Sequence, residues 1–463
     1  MPDACSVVRG HKCVVAVGAL NDSVAFAHEL LTRGASATFL LADTLGAGLA
    51  HRSSPFPAVL ICENRKAEHQ LEAFRNYRDT LANLPAPAVA ALDDYDPQRT
   101  ARLLVASQHH VPSVAGRVTF TKRSEQWMRL EDKTLVDDLW EELGITRARS
   151  RVIAVRRDLL DTAVRELDEG EGAVVAGDSR EGYNSGGDYI RRVRSAADVA
   201  DAYGFFSTRC ARVRVMPFLS GVPCSIHGLV FPDDVAVFRP VEMFILGQRD
   251  GSRFLYAGNG TFWDPAASDR EEMRTLARRL GHHLRDRVGY RGGFTVDGVM
   301  TADGFRPTEL NARAGAAFGT LARSVAEVPL RLTEMALGAG LELDQDPREL
   351  EDCVVRAADL HRTGTAWAMT TTSLPSDSVE ITVPPRSAAK DPNDPQSTRR
   401  TFRVDIGPSQ VGGVVRIMLE DPGLAGPDPV AGEVAAIFSR LDHELGTRFA
   451  APFAVARADA RCP

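Results

Sequence analysis

The chain of 463 residues carries 55 Lys+Arg against 62 Asp+Glu, a net charge of −7, and at roughly 100–200 residues per domain it has room for several buried cores. Hydrophobic residues at 44% and charged residues at 25% exclude wholesale disorder. The acidic balance excludes a generally basic surface for nucleic acid or an anionic membrane, and leaves open a local basic pocket around a phosphorylated ligand.

Seven cysteines, at 5, 13, 62, 210, 224, 353 and 462, include no Cys-x-x-Cys pair. This odd, dispersed count points to reduced thiols in a cytosol rather than to disulfides or zinc. The N-terminus has no long apolar run, and nowhere do about 18 apolar residues follow one another. A cytoplasmic protein without membrane contact is therefore expected.

The first segment reads as α/β. Cys13–Gly18, Ala37–Leu41 and Ala58–Cys62 are strand candidates, with a helix over Val24–Arg33 between the first two. No G-x-G-x-x-G follows the first strand, which speaks against a dinucleotide site. Glu68–Leu84 reads as an amphipathic helix closed by Pro85-Ala86-Pro87, and Asp93-Asp94-Tyr95-Asp96 as an acidic loop.

A new unit is expected near residue 130, where Lys133 opens a helix over Thr134–Gly144. The strand Ala173–Ala176 feeds a glycine-rich turn, Gly177–Gly187, that returns through Tyr189–Val193. Cys224–Phe231 and Asp234–Phe238 read as paired strands, and Ser268-Asp269-Arg270-Glu271 as a capping box before a helix. Gly292–Met300 and Phe305–Leu310 form a hairpin around Ala302-Asp303-Gly304, and Leu321–Gly338 reads as a buried helix. The last hundred or so residues read as a separate piece. Its strands are expected near Val354, Val379–Val383, Phe402–Ile406 and Gly413–Leu419, with a mobile polar loop at 384–400 and a final helix through Val434, Phe438 and Leu445.

The hairpin carries the chemistry. Alternate residues of a strand face one way, so Glu309, Asn311 and Arg313 share a face, and Asp297 sits on the partner strand. Two carboxylates and an amide oxygen suit Mg²⁺ completed by water and phosphate oxygens, with an arginine beside them for an oxyanion. The same pattern also fits the solvated face of an amphipathic strand. Gly315, Ala316, Ala317 and Gly319, which follow, leave room for a ligand.

At these residues the sequence resembles the ATP-grasp carboxylate–amine ligases. Glu309-Leu310-Asn311-Ala312-Arg313 matches the family's E-x-N-x-R, and Lys133 matches its first phosphate-contacting lysine. The Gly182–Gly187 loop resembles its mobile flap, and Met216-Pro217-Phe218-Leu219 stands at its adenine hinge. Phe218–Gly228, Gly260–Pro265 and Gly289–Gly292 further resemble the pheganomycin-type peptide ligases.

The resemblance implies an α/β protein with an ATP-grasp fold, two α+β lobes gripping ATP. An α/β pre-ATP-grasp domain is expected over 1–130 and the lobes over 131–345, with the small lobe at about 145–212. A small C-terminal α+β domain is expected over 346–463. It implies ATP and Mg²⁺ as cofactors, with a small-molecule carboxylic acid and an amino-acid or peptide amine as substrates. It implies no nucleic-acid or membrane partner, and leaves a homodimer open.

The implied metal ligands are Asp297, Glu309 and Asn311, and the implied catalytic residues are Arg313 and Lys133. Nucleotide binding is implied for Lys133, Arg180, Gly182, Ser185, Gly186, Gly187, Met216, Phe218 and Leu219. One departure stands out: the lysine expected on the strand before the flap is replaced by Ala176 or Gly177. Arg180, Arg191 and Arg192 are near enough in sequence to compensate. The rival reading is a relative that binds nucleotide without ligating.

The other polar features read as structural. His109-His110 and His282-His283 are expected at the surface, Cys224 in packing, and Arg147, Arg149 and Arg151 on a solvated face.

Overall fold

The computed structural model describes residues 3–121, 123–180, 182, 187–248, 252–383, 400–447, 449 and 453–455. At its N-terminal end, apolar runs form a parallel sheet in the order Ala58–Leu60, Ala37–Ala42, Lys12–Gly18, Arg102–Val105. Such runs suit a sheet covered on both faces. Leu20–Thr32 and Gln70–Ala82 are its principal helices. A further helix, Ala86–Tyr95, starts directly after Pro85, since proline is tolerated in a first turn. The acidic cluster expected in a loop therefore lies largely on that helix. Asp96, just past its end, is buried against Arg117 at 2.7 Å.

The next unit is an antiparallel sheet in the order Arg151–Ala154, Arg212–Pro217, Ala173–Gly177, Ile190–Val193. Helices Arg157–Leu167 and Ala196–Ser207 bury their apolar faces against it. A reciprocal capping box does occur in the chain, but between Ser195 and Asp198. The box expected at Ser268 does not form: helix Ala267–Val288 starts behind Ala266 without a side-chain cap, leaving Ser268 inside the helix.

The third sheet has 11 strands and runs through the rest of the chain. It begins Gly304–Asn311, Gly292–Thr301, Val222–Val230, Val241–Gln248, Phe254–Gly260. It continues without a break through Gly364–Thr370, Gly413–Leu419, Arg400–Pro408 and Asp377–Val383. The C-terminal strands thus extend the central sheet instead of forming one of their own. The strand expected near Val354 is a helix, Pro347–Leu360. Leu350, Val354 and Ala358 recur at helical spacing on its buried side, and Asp346 caps its first turn. The helix expected over Leu321–Gly338 is two, Phe318–Ser324 and Leu330–Gly338, interrupted before Pro329. Residues 384–399 of the expected loop lie outside the described residues, and Arg400 already begins a strand. Among the described residues, no helix is long and apolar enough to cross a membrane.

Period-2 alternation splits the C-terminal strands into two faces. Ala366, Ala368, Val415, Ile417 and Leu419 are buried in a core that includes helix Ala431–Leu445. Thr365, Trp367, Met369, Arg416 and Met418 point the other way, into a large internal cavity. Glu242, buried on the central sheet, fixes the helix by accepting hydrogen bonds from the Val430 and Ala431 N–H groups at 2.8 Å each. Replacing Glu242 with Ala leaves both donors without this acceptor. We expect a loss of about 3 kcal/mol, read as a lower urea midpoint with an unchanged slope.

Candidate active site

The cavity, of about 1200 Å³, is bounded by all three sheets. The hairpin enters it through a register that chain spacing alone does not specify. Gly298 pairs with Pro307 but Asp297 pairs with Glu309, so Thr308 is an extra residue in its strand. Pro307 has no N–H to donate to the ladder, a common setting for such a bulge. The bulge places the Asp297 and Glu309 side chains directly opposite on one face.

Around this pair the polar contacts are close. Lys133 Nζ lies 2.7 Å from Glu309 Oε1, and Asn311 Nδ2 donates to Asp297 Oδ2 at 2.9 Å. Arg313 Nη2 donates to Asn311 Oδ1 at 2.9 Å, and its Nε lies 3.5 Å from Glu131. Glu131 is held in turn by Arg123. Asp132 fixes the turn carrying Lys133: one oxygen accepts from Thr134 and the other from Ser179 Oγ at 2.8 Å, after the strand Ala173–Gly177. Burial, and then the negative charge of Glu309, push the Asp297 pKa up to about 7 against the opposing pull of Arg313 and Lys133.

Lys133, Asp297, Glu309, Asn311 and Arg313 all line the cavity, as do Gly187, Met216, Phe218 and Leu219. The Phe218 N–H is used internally, by Gly172 O at 2.9 Å. Its ring lies parallel to that of Phe254, with centroids 6.4 Å apart. Two expected binding residues are elsewhere: Arg180 and Gly182 are exposed and do not line the cavity. Ser185 and Gly186 lie outside the described residues.

Arg191 and Arg192, expected to compensate for Ala176, do not line the cavity. Arg191 stacks 3.9 Å over Phe205 and donates to Asp188 O. Arg192 stacks 3.5 Å over Phe218 and pairs with Glu171. The cavity-lining cation on this sheet is Arg214, which pairs in register with Ala176 and so projects from the same face. Its guanidinium is bidentate to Asp137 and donates to Thr308 O, the carbonyl of the bulge, at 3.2 Å. In sequence the signal for Arg214 is absent, because it depends on which strand lies beside Ala173–Gly177.

A second unexpected group is His227, buried beneath the hairpin. Its ring nitrogens lie 2.9 Å from Ser225 Oγ and 2.9 Å from Thr295 Oγ1. Thr295 Oγ1 also accepts from the Gly315 N–H at 3.0 Å. A Cβ on Gly315 would fall 2.6 Å from that oxygen, so only glycine lets the loop after Arg313 approach so closely. The alternation Cys224-Ser225-Ile226-His227 held a signal for this network, since its polar members share a face. Of the histidines expected at the surface, His109 is buried edge-on to Phe74 and Tyr77.

No family model matches the chain, and no curated protein matches it in sequence. Solved structures match over nearly its full length. One is the biotin carboxylase domain of Hydrogenobacter thermophilus 2-oxoglutarate carboxylase in complex with MgADP, ADP and bicarbonate: 12% identical, TM-score 0.57, covering 96% of each chain. Another is the ATP-analogue complex of Campylobacter jejuni biotin carboxylase: 13% identical, TM-score 0.53, covering 88% of this chain and 87% of that one. A third is N5-carboxyaminoimidazole ribonucleotide synthetase with ADP: 14% identical, TM-score 0.50, covering 95% and 98%. The chain has the ATP-grasp fold. At these identities the likeness is one of fold.

His227 gives the site a pH signature. Burial, and then the charge of Arg313, push its pKa down to about 3, against an ordinary value of 6.5. Between those values the unfolded chain binds a proton that the folded chain refuses, so stability falls as pH drops through the window. From pH 7 to pH 5 this contributes a loss of about 2 kcal/mol. Urea denaturation of His227→Gln at both pH values should show a pH dependence smaller by that amount.

Proposed function

We propose that the protein is an ATP-dependent carboxylate–amine ligase that forms a peptide or amide bond through an acyl phosphate, releasing ADP and phosphate. The observation that carries this reading is the hairpin, with Asp297, Glu309 and Asn311 gathered on one cavity wall between Lys133 and Arg313. A cytoplasmic role in building a natural-product peptide fits it.

The donor set fits Mg²⁺. Among the described residues no group of three or more His, Cys, Asp or Glu is placed to hold a metal. Two carboxylates and an amide oxygen leave the remaining coordination to water and phosphate, the usual arrangement for Mg²⁺ with a nucleotide. When bound by Asp297, Glu309 and Asn311, it supplies charge neutralisation at the transferred phosphoryl group.

Lys133, now paired to Glu309, supplies a mobile positive charge for phosphate oxygens. Arg214 offers a second cation on the small-lobe side, opposite the position where a lysine is missing. The substrate carboxylate attacks the γ-phosphorus and ADP leaves. The amine nitrogen then attacks the acyl carbon, phosphate leaves with the acyl oxygen's electron pair, and the amine proton passes to solvent. Arg313 faces the developing oxyanion with its planar fork. Enclosure of the site by the three sheets keeps water from the acyl phosphate.

The absent flap-strand lysine favours a second reading, a nucleotide-binding protein without ligase activity. One experiment separates the two. ADP release is followed with ATP and Mg²⁺ against a panel of carboxylic acids, each with and without a panel of amines. We expect amine-dependent ADP release from the natural sequence and a fall of at least about 100-fold in Glu309→Gln. ATP binding without release under any pairing would support the second reading, and normal turnover in Glu309→Gln would remove the metal assignment. AMP and pyrophosphate as products would contradict the acyl-phosphate scheme.

A further inference from the structure

The cavity extends well beyond the hairpin, to a wall built from the N-terminal domain, helix Phe318–Ser324 and the C-terminal strands. Two arginines stand there that make no ion pair among the described residues, although the charge of Glu420 reaches Arg323. Arg323 donates to Thr320 Oγ1 at 3.1 Å and to Thr365 Oγ1 at 2.5 Å, and makes no ion pair among the described residues. Arg331 lies 5.5 Å over the Phe26 ring and makes no hydrogen bond or ion pair among them.

The two guanidinium groups converge on Gly319. Arg323 Nη1 approaches its carbonyl at 3.4 Å, and Arg331 Nη2 lies 3.4 Å from where its Cβ would be. Arg323 is exposed and Arg331 half-buried, both on the cavity wall, whereas the fully buried Arg117, Arg214 and Arg239 are neutralised by Asp96, by Asp137, and by Asp264 and Asp359. Two adjacent guanidinium groups left open to a cavity lack only an anion, and their fork geometry matches a carboxylate.

Beside the arginines the surface is mainly aromatic and thioether, with Arg416 next to Trp367 and held by Asp22 and Asp405. Trp367 and Tyr256 pack with ring centroids 5.2 Å apart, and Met369 and Met418 also line the cavity from the C-terminal strands. A hydrogen-bond chain links this floor to Arg323. Asn259 Nδ2 donates to the Tyr256 hydroxyl at 3.1 Å, Thr320 Oγ1 donates to Asn259 Oδ1 at 2.7 Å, and Arg323 donates to Thr320. Arg323 and the aromatic floor are therefore tied through shared hydrogen bonds.

We propose that this wall is the subsite for an amino acid or peptide with a free carboxylate, which Arg323 and Arg331 clamp while the C-terminal residue's apolar side chain lies on Trp367 and Tyr256. The subsite deepens the ligase reading and rests on it for the reaction it serves. The C-terminal strands thereby become part of substrate selection. An apolar side chain beside the anion distinguishes this occupant from a bare phosphate group.

The test is equilibrium dialysis of the full chain with ADP and Mg²⁺ against an equimolar mixture of L-dipeptides and the same peptides as C-terminal amides. Retained species are read by mass spectrometry. We expect acids with apolar C-terminal residues to be retained about tenfold or more over their amides. That preference should fall to about one in Arg331→Gln and Arg323→Gln, with ADP affinity unchanged. Trp367→Ala should lose the apolar preference and keep the acid preference. If a Gln variant fails to fold by thermal melting, Arg331→Lys, which keeps the charge and loses the fork, should still weaken retention. Equal retention of acids and amides, no retention of either, or a preference surviving both substitutions would overturn the subsite. So would loss of ADP affinity in the Gln variants, which would place the arginines on the nucleotide. Selective retention without ADP release for any acid–amine pairing would leave the subsite standing and remove the ligase reading.

Discussion

Asp297 and Glu309 occupy directly opposed positions on neighbouring strands, where like charges repel. Much of the surrounding structure answers that repulsion. Lys133 arrives from the segment before helix Val136–Glu142, Arg313 from just past the strand that carries Glu309, and Asn311 lends its amide to Asp297. Each of these contacts is itself tied down: Asp132 anchors the Lys133 turn, and Glu131 with Arg123 flanks Arg313. The carboxylate pair thus organises three separate stretches of chain.

The bulge at Thr308 connects this electrostatic centre to the rest of the fold. Without the extra residue, Asp297 would stand opposite Thr308 and Glu309 would face the other side of the sheet. With it, the Thr308 carbonyl is available to Arg214, so the guanidinium of strand Arg212–Pro217 rests on the hairpin. The four-stranded antiparallel sheet and the carboxylate pair are therefore linked through one arginine, whose other side is held by Asp137.

Much of the fold was legible wherever burial is one-sided. Cys13–Gly18, Ala37–Leu41 and the hairpin strands announce themselves by apolar runs or alternation, and the E-L-N-A-R strand by its polar face. The signal failed where two periods compete or where pairing decides. Val354 lies in a short apolar stretch that fits a strand, and only the recurrence of Leu350 and Ala358 reveals the helix. Gly364–Thr370 was missed because its buried face is made of Ala366 and Ala368, weak strand formers whose role is close packing in the core. In the site, residues adjacent in sequence to the hairpin were readable. Arg214 and Arg323 were not, since their proximity to it is set by sheet order and by the loop that Gly315 allows, and the alternation around His227 showed its face but not its partner Thr295.

Charge distribution joins these observations. A protein with a net charge of −7 places Lys133, Arg214, Arg313, Arg323, Arg331 and Arg416 on the wall of one cavity. Arg214 and Arg416 are matched by nearby carboxylates, Asp137 for the first and Asp22 and Asp405 for the second, so their fields are largely spent locally. Arg323 and Arg331 have no such match among the described residues. An acidic exterior around a cationic interior focuses field lines inward, so an anion is repelled by most of the surface and drawn to the opening of the cavity. Inside, the field has two centres of different chemistry: one where cations surround a carboxylate pair suited to a metal and phosphates, the other where two planar forks stand over aromatic surface.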